Sequence, residues 1–376
     1  MVRGFKIIVR VHSRLGMGRE RAMAEIGVGV IGFGLATKVF HAPFVSAVPG
    51  LRLRAIVQRS GDEAAKAYPE ATICRSVEEM LREPAVQLVV VATPNETHFA
   101  MAKLALAAGK HVVIDKPFAA TSAQATELIE LAQSRGVVLA PFHNRRWDGD
   151  FVTLKKLLAE GILGRVVTIE SHFDRFRPIP REGTWKESAN PANGLLFDLG
   201  PHLVDQAVAL FGVPETIYAS VRTDRDAGAI EDAFDICLGY PKLRYWCRSS
   251  MLACDNAPRF LVHGTHGSFK KHGLDPQEPA LVAGAKVPRM GEGEWLQEAE
   301  EAFGTLTIAP VPSEPGTLMA SKVRTELGDY RQYYANVRDA VLGTGKLACP
   351  TAEGFTVVRL LELARVSSNE GRTVTV

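Results

Sequence analysis

The chain has 376 residues, 46% of them hydrophobic and 23% charged, which is the make-up of a folded globular protein rather than a disordered or fibrous one. Forty-four basic residues against 42 acidic ones leave a net charge of +2, too small a field to mark nucleic acid or membrane lipid as the partner. No apolar run reaches the ~20 residues needed to span a bilayer, and the length predicts two domains.

Cys74, Cys237, Cys247, Cys254 and Cys349 are scattered without a paired spacing, so reduced thiols in a cytoplasmic setting are expected, with no structural metal. Residues 1–24 precede the first strand and read as a flexible leader or a mis-assigned start, since Met17 and Met23 both lie in them. They lack a long apolar stretch and a small-residue cleavage site, which argues against a secretory signal; an Arg-rich presequence is the lesser alternative.

From residue 25 to 142 apolar, β-branched runs alternate with helical patterns, which predicts an α/β unit with a doubly wound parallel sheet. The strands are expected at Ile26–Ile31, Leu51–Val57, Thr72–Cys74, Leu88–Ala92, His111–Ile114 and Val137–Pro141. Ser76 with Glu79, and Thr121 with Gln124, read as capping boxes, while Gly109 and Gly136 close helices.

After Phe142 the rhythm changes. Residues 143–376 predict an α+β domain with a large open, mainly antiparallel sheet, with strands at Val166–Phe173, Glu215–Val221, Phe234–Tyr240, Leu243–Met251 and Phe260–His263. Helices are expected at Gly328–Leu342 and Ala352–Ser367, covering one sheet face. Arg177–Gly183 and Gly273–Gly293 read as long loops.

Three segments carry chemistry. The first is the turn Gly32-Phe33-Gly34-Leu35-Ala36-Thr37 between the first strand and a helix, where Gly32 allows a tight turn and Gly34 leaves room for a pyrophosphate. Thr37 stands where a third small residue is usual, so either the helix packs more loosely or the threonine caps. The end of the second strand, Val57-Gln58-Arg59-Ser60, has no carboxylate for a ribose 2′-hydroxyl; Arg59 and Ser60 instead suit a 2′-phosphate, so NADP is expected over NAD.

The second segment is Thr93-Pro94-Asn95-Glu96-Thr97-His98 after the fourth strand, followed by Asp115-Lys116-Pro117 at the end of the fifth, with Lys116 held extended by the proline after it. Thr93, Pro94, Asn95, His98 and Lys116 are expected beside the nicotinamide half of the cofactor. The third is Asp198-Leu199-Gly200-Pro201-His202. Pro201 is best tolerated in a first helical turn, which puts Asp198 at the helix start and His202 in the opening turn, where the dipole disfavours its protonation. Asn144, Arg145, Arg146 and Trp147 read equally as substrate contacts or as packing and salt bridges.

These segments in this order resemble the Gfo/Idh/MocA family of oxidoreductases over residues 26 to about 370. The Gly34-Leu35-Ala36 turn with Phe40-His41-Ala42-Pro43 is similar to the branch of YdgJ and scyllo-inositol dehydrogenase-like enzymes. The resemblance implies a Rossmann domain binding NADP, with NAD possible, then an α/β domain whose sheet joins subunits into a homodimer or homotetramer. It matches Lys116, Asp198 and His202 to catalytic positions: His202 as base, Lys116 donating to the reacting oxygen, Asp198 orienting His202 or binding a neighbouring hydroxyl. Asp115 departs from the usual glutamate. The implied function is hydride transfer to or from an inositol or sugar derivative; the alternatives are a non-catalytic NADP-binding regulator, against which the three retained residues argue, and a reductase of a non-sugar carbonyl or diol.

Overall fold

The computed structural model describes residues 25–376 apart from 182, 185, 186, 189, 191, 256 and 310–316. The expected leader, residues 1–24, lies outside the described residues.

The first sheet is parallel and six-stranded, with β1 (Ile26–Ile31), β2 (Leu51–Val57), β3 (Thr72–Cys74), β4 (Leu88–Val91), β5 (His111–Ile114) and β6 (Leu139–Pro141) in the order β3-β2-β1-β4-β5-β6. β1 and β4 are buried along their whole length because helices cover both faces, which is why they read as unbroken Val and Ile runs. The strand order reverses between β1 and β4, and the loops that follow those two strands therefore open a crevice at their carboxyl ends.

The connecting helices are α1 (Ala42–Ala47), entered through a wide π-type turn at Thr37–His41, then α2 (Glu63–Ala67), α3 (Val77–Leu81), α4 (His98–Ala107) and α5 (Ser122–Arg135). Ser76 Oγ accepts from the Glu79 amide at 3.1 Å and Thr121 Oγ1 from the Gln124 amide at 3.2 Å. The returning side chains reach one residue earlier than a capping box requires, Glu79 taking the Arg75 amide and Gln124 the Ala120 amide. Gly136 ends α5 at φ 63°.

A 3-10 turn at Asn144–Trp147 leads into α6 (Gly149–Ala159), β7 (Val166–His172) and α7 (Gly194–Phe211). The second sheet then takes β8 (Thr216–Arg222), β9 (Ala233–Tyr240), β10 (Leu243–Ser250), β11 (Phe260–Gly264) and β12 (Gly267–Lys271); after α8 (Gln277–Val282) come β13 (Gly304–Ile308) and β14 (Met319–Val323). α9 (Arg331–Val341) and α10 (Thr351–Glu370) precede the short β15 (Val374–Thr375). The nine strands run β14-β13-β12-β11-β7-β10-β9-β8-β15, antiparallel except for β7 beside β10. One face packs on α7 and α10 around Leu196, Leu203, Ile236, Tyr245 and Leu361.

Two expectations need correction. Residues 273–293 are not one long loop, because α8 forms inside them. Pro201 is not in a first helical turn. α7 begins at Gly194, so Asp198 is its fifth residue and His202 its ninth, with the proline inside the helix. An interior proline costs about 3 kcal/mol, and here the burial of Leu195, Leu196, Phe197, Leu199, Leu203 and Val204 around it offsets that cost.

Candidate active site

A cleft of about 930 Å³ runs along the carboxyl edge of the first sheet and ends against α7. Its cofactor end is built from backbone. Gly32 has φ 98°, and a Cβ there would lie 2.6 Å from the Ala92 carbonyl, so only glycine makes this turn between β1 and β4. A Cβ on Gly34 would meet nothing within 4 Å. That opening, beside the free amides at the start of the helical segment, fits the pyrophosphate of a dinucleotide. Thr37 resolves as a brace: it is fully buried and its Oγ1 donates to the Gly32 carbonyl at 2.8 Å, so the departure from the usual small residue ties down the turn.

Gly32, Phe33, Gly34, Leu35, Arg59, Ser60, Thr93, Pro94, Asn95 and Lys116 all border the cleft, as do Asp198 and His202. His98 does not. It is 1% exposed, and its ring nitrogens lie 2.9 Å from the Pro117 carbonyl and 2.8 Å from the Thr93 carbonyl. The expectation of a cofactor contact is corrected: the ring ties together the loops after β4 and β5 and holds Thr93 and Lys116 in place from behind.

At the other end β5 and α7 bring the three candidate catalytic residues together. Lys116 Nζ donates to Asp198 Oδ1 at 2.8 Å and to the Asp198 carbonyl at 2.7 Å. Arg175 Nη1 stands 3.5 Å from Asp198 Oδ2. Asp198 and His202 are four residues apart on α7 and so share its cleft face. No hydrogen bond joins them; the carboxylate of Asp198 meets Lys116 instead.

His202 is pushed well below the ordinary histidine range by burial, then by the positive charges of Arg145 and Lys116; Asp198 opposes the shift. Its neutrality was expected from a helix N-terminus, and that cause is corrected, because the ring lies in the middle of α7. Nδ1 is buried without a hydrogen-bond partner. That leaves Nε2 to serve the cleft, as an acceptor in the tautomer that carries its proton on Nδ1. The ring packs nearly parallel to Phe173, centroids 6.4 Å apart, and the Arg145 guanidinium lies 4.7 Å from the centroid of that same phenyl ring.

Asp115 takes the Lys116 amide on Oδ1 at 2.7 Å and faces His41 Nε2 across 3.6 Å on Oδ2; His41 Nδ1 in turn meets the Tyr334 hydroxyl at 2.7 Å. Burial would raise this carboxyl, but His41, Lys116 and His98 together hold it below the usual range. The shorter aspartate therefore sits against a buried histidine.

The segment Asn144–Trp147 divides. Asn144 and Arg145 border the cleft, Arg145 pairing with Glu278 and Asp148. Arg146 is structural: it bonds Asp205 at 2.9 and 2.5 Å and Glu353 at 2.6 Å. Trp147 packs edge-on against Tyr333. Sequence reading missed Arg75 and Glu278, both on the cleft. Arg75 follows β3 at the ligand-bearing sheet edge, a placement that could have flagged it. Glu278 lies on α8, within a stretch that has no motif.

Residues 26–143 match the family model described as the oxidoreductase family, NAD-binding Rossmann fold, and residues 155–376 the one described as the oxidoreductase family, C-terminal alpha/beta domain. The chain is 43% identical to the uncharacterized oxidoreductase YdgJ of Escherichia coli K12, covering 93% of this chain and 98% of that one. It is 35% identical to the scyllo-inositol 2-dehydrogenase (NADP(+)) IolW of Bacillus subtilis 168, over 94% and 97%. Among solved structures it resembles the putative oxidoreductase yvaA of Bacillus subtilis with TM-score 0.89 and 34% identity, covering 95% and 99%, and a putative oxidoreductase of Yersinia pestis with TM-score 0.86 and 42% identity, covering 94% and 98%. With a glycine turn shaped for a dinucleotide, a lysine, aspartate and histidine gathered beside it, and both halves of the chain matched, the protein belongs to the Gfo/Idh/MocA family of oxidoreductases and is an NAD(P)-dependent dehydrogenase or reductase.

Proposed function

We propose that this chain is an NADP-preferring dehydrogenase or reductase acting on a hydroxyl-bearing carbon, or the matching carbonyl, of an inositol or sugar derivative. The observation that carries the reading is the meeting of Lys116, Asp198 and His202 at the end of the same cleft that opens beside Gly34. The scyllo-inositol 2-dehydrogenase (NADP(+)) activity for which the Bacillus subtilis relative is named supports it.

When bound, the nicotinamide supplies the site that gives or takes the hydride. The rest falls to the chain. His202 Nε2 accepts the hydroxyl proton in the oxidation direction, and its depressed pKa keeps it free to do so at neutral pH. Lys116 donates to the same oxygen and stabilises the alkoxide as it develops, held in place by Asp198. Gly32, Phe33, Gly34 and Leu35 form the pyrophosphate turn, Thr93, Pro94 and Asn95 flank the nicotinamide half, and Arg59 with Ser60 receives the 2′-phosphate. Arg59 is exposed at the cleft edge and makes no hydrogen bond or ion pair within the described residues, so its guanidinium is available.

The domain division follows from the same reading: residues 25–142 hold the cofactor and 143–376 hold the substrate and form the contact between copies. The sheet face away from α7 and α10, with Tyr218 exposed on β8 and Val167 on β7, is the proposed seam of a homodimer or homotetramer. No described helix is long and apolar enough to cross a membrane, and a cytoplasmic setting accords with five free thiols.

The test is titration of the full chain with NADPH and NADH by fluorescence, followed by a polyol and sugar panel read at the nicotinamide absorbance. Tighter NADPH binding with turnover of a polyol is expected. Binding without turnover of any polyol or sugar would remove the substrate assignment, and equal binding of the two cofactors would remove the NADP preference.

A further inference from the structure

The corner of the cleft beyond Arg59 contains a second guanidinium that the reading above does not use. Arg75 follows β3 directly and borders the cleft beside the turn after β2. Its Nη1 donates to the Gln58 carbonyl and to the Gly61 carbonyl, both at 2.9 Å. Those two carbonyls are the two ends of the turn that carries Arg59 and Ser60. Its backbone amide is taken by the Glu79 carboxylate at 2.7 Å, which fixes the root of the side chain. Nε and Nη2 make no hydrogen bond with any described residue, and a guanidinium carries five donors in one plane.

The residues around it complete the case. Gln58 stands where an NAD site would present an acid to the ribose, but its side chain is turned inward: Oε1 accepts from the Ala64 amide at 2.9 Å and Nε2 pairs with Glu63. Nothing at that position therefore competes for the ribose edge. The cleft lining at this corner is left with two arginines, the Ser60 and Ser76 hydroxyls and the Glu78 carboxylate, while the Glu63 and Glu79 carboxylates behind it are engaged by Gln58 and by the Arg75 amide. A phosphate monoester carries close to two negative charges at neutral pH and three strong acceptors, which two planar guanidiniums match better than one.

We propose that Arg75 is a second ligand of the cofactor 2′-phosphate and the residue that sets NADP over NAD. With one nitrogen it holds the Gln58–Gly61 turn so that Arg59 and Ser60 face the cleft, and with the remaining donors it takes the phosphate. This rests on the NADP reading above. It separates two tasks within one side chain, so a lysine, with a single point of charge and no fork, cannot do both.

The experiment uses the full chain and two half-cofactors, 2′,5′-ADP and 5′-AMP, measured by calorimetry at fixed ionic strength. The unaltered protein is expected to bind 2′,5′-ADP the more tightly. Arg75→Gln should weaken 2′,5′-ADP by about ten- to a hundredfold, the size of one or two lost charge-assisted hydrogen bonds, and leave 5′-AMP within twofold. Arg75→Lys should fall between. In an Arg59→Ala background Arg75→Gln should still weaken 2′,5′-ADP selectively; no further selective loss there would mean that Arg75 only braces the turn that presents Arg59, and retention of 2′,5′-ADP affinity in Arg75→Gln alone would remove it from the site; either result overturns the proposal. If the unaltered protein binds the two probes alike, the NADP reading fails and this inference with it, a result distinct from the other two. Thermal melts of each variant accompany the titrations, and a melting temperature unchanged alongside selective loss of 2′,5′-ADP is the expected signature.

Discussion

The two ends of the cleft are made of different material. At the cofactor end the working groups are glycine turns and exposed arginines, of which Arg59 bonds no other described residue. At the substrate end they are charges in tight pairs, partly to fully withdrawn from water: Lys116 with Asp198, Arg145 with Asp148 and Glu278, and behind them Arg146 with Asp205 and Glu353. Binding and stability are thus nearly separable at one end and coupled at the other.

The largest expected effect sharpens this contrast within the reaction itself. Lys116→Ala removes the donor to the reacting oxygen and should cut turnover by about a thousandfold, with NADPH affinity changed by no more than about threefold. Turnover near that of the unaltered enzyme would take Lys116 out of the mechanism.

Next comes stability. Asp205 is 1% exposed and accepts two bonds from Arg146, so Asp205→Ala leaves a buried guanidinium only partly matched and should cost about 3 kcal/mol in urea unfolding. Arg59→Ala, at the other end, should cost under about 0.5 kcal/mol while weakening NADPH more than NADH. Comparable losses of stability in the two variants would erase the difference between the two ends.

A smaller effect separates two glycines two residues apart. Gly34→Ala introduces a Cβ into open space, so the melting temperature should hold while NADPH affinity falls about tenfold. Gly32→Ala meets the Ala92 carbonyl and a strained φ, and should cost about 1–3 kcal/mol of stability. A stable Gly32→Ala, or a Gly34→Ala that binds NADPH normally, would break the assignment of that turn.

The gentlest probe is pH. Burial holds both His202 and His143 below the free histidine value. Each is therefore neutral in the folded chain at pH values where the unfolded chain has already taken a proton. Their contribution to stability is complete above about 6.5 and is lost as pH falls below it, at up to about 1.4 kcal/mol per pH unit for each histidine. Asp275, raised to about 6 by burial, works in the opposite sense: protonation in the folded state recovers stability as pH falls through that value toward the free carboxyl range. In His202→Asn the acid-side loss should shrink, as read by urea unfolding at pH 7 and pH 5.5; an unchanged difference would mean that the ring is not held neutral.

What the sequence made legible follows the same divide. The bounds of β1 and β5 are readable because strands buried on both faces are written as short apolar runs between turn formers, and those of β2 and β3 because β-branched and apolar residues recur between turn formers even where one face is partly exposed. Loops at the ends of those strands sit where ligands bind, so most of the cofactor-end residues could be placed from motif and position together. β12 to β14 were not legible: Gly267–Lys271 has no clear alternation, and Met319–Val323 is exposed along nearly its whole length. Glu278 reaches the cleft from a six-residue helix in a stretch rich in Gly and Pro. His98 was misplaced because a motif reports that a residue matters and not which way its ring points. Pro201 misled in the same manner, since a helix buried on most sides tolerates a break in its bonding that an exposed one would not.

The last helices of the chain lie on its first domain. Tyr330, Tyr333 and Tyr334 of the α9 region share a core with Val28, Val30 and Phe44, and Val358 of α10 joins the core of Val89 and Ile114. Tyr333 donates to the Pro141 carbonyl at 3.0 Å and Arg338 to the Pro49 carbonyl at 2.7 Å. During synthesis, therefore, the nucleotide-binding half leaves the ribosome about two hundred residues before the helices that cover it, at ordinary elongation rates a wait of roughly 10–40 s. Over that interval the apolar surface that those helices later cover has no partner from its own chain.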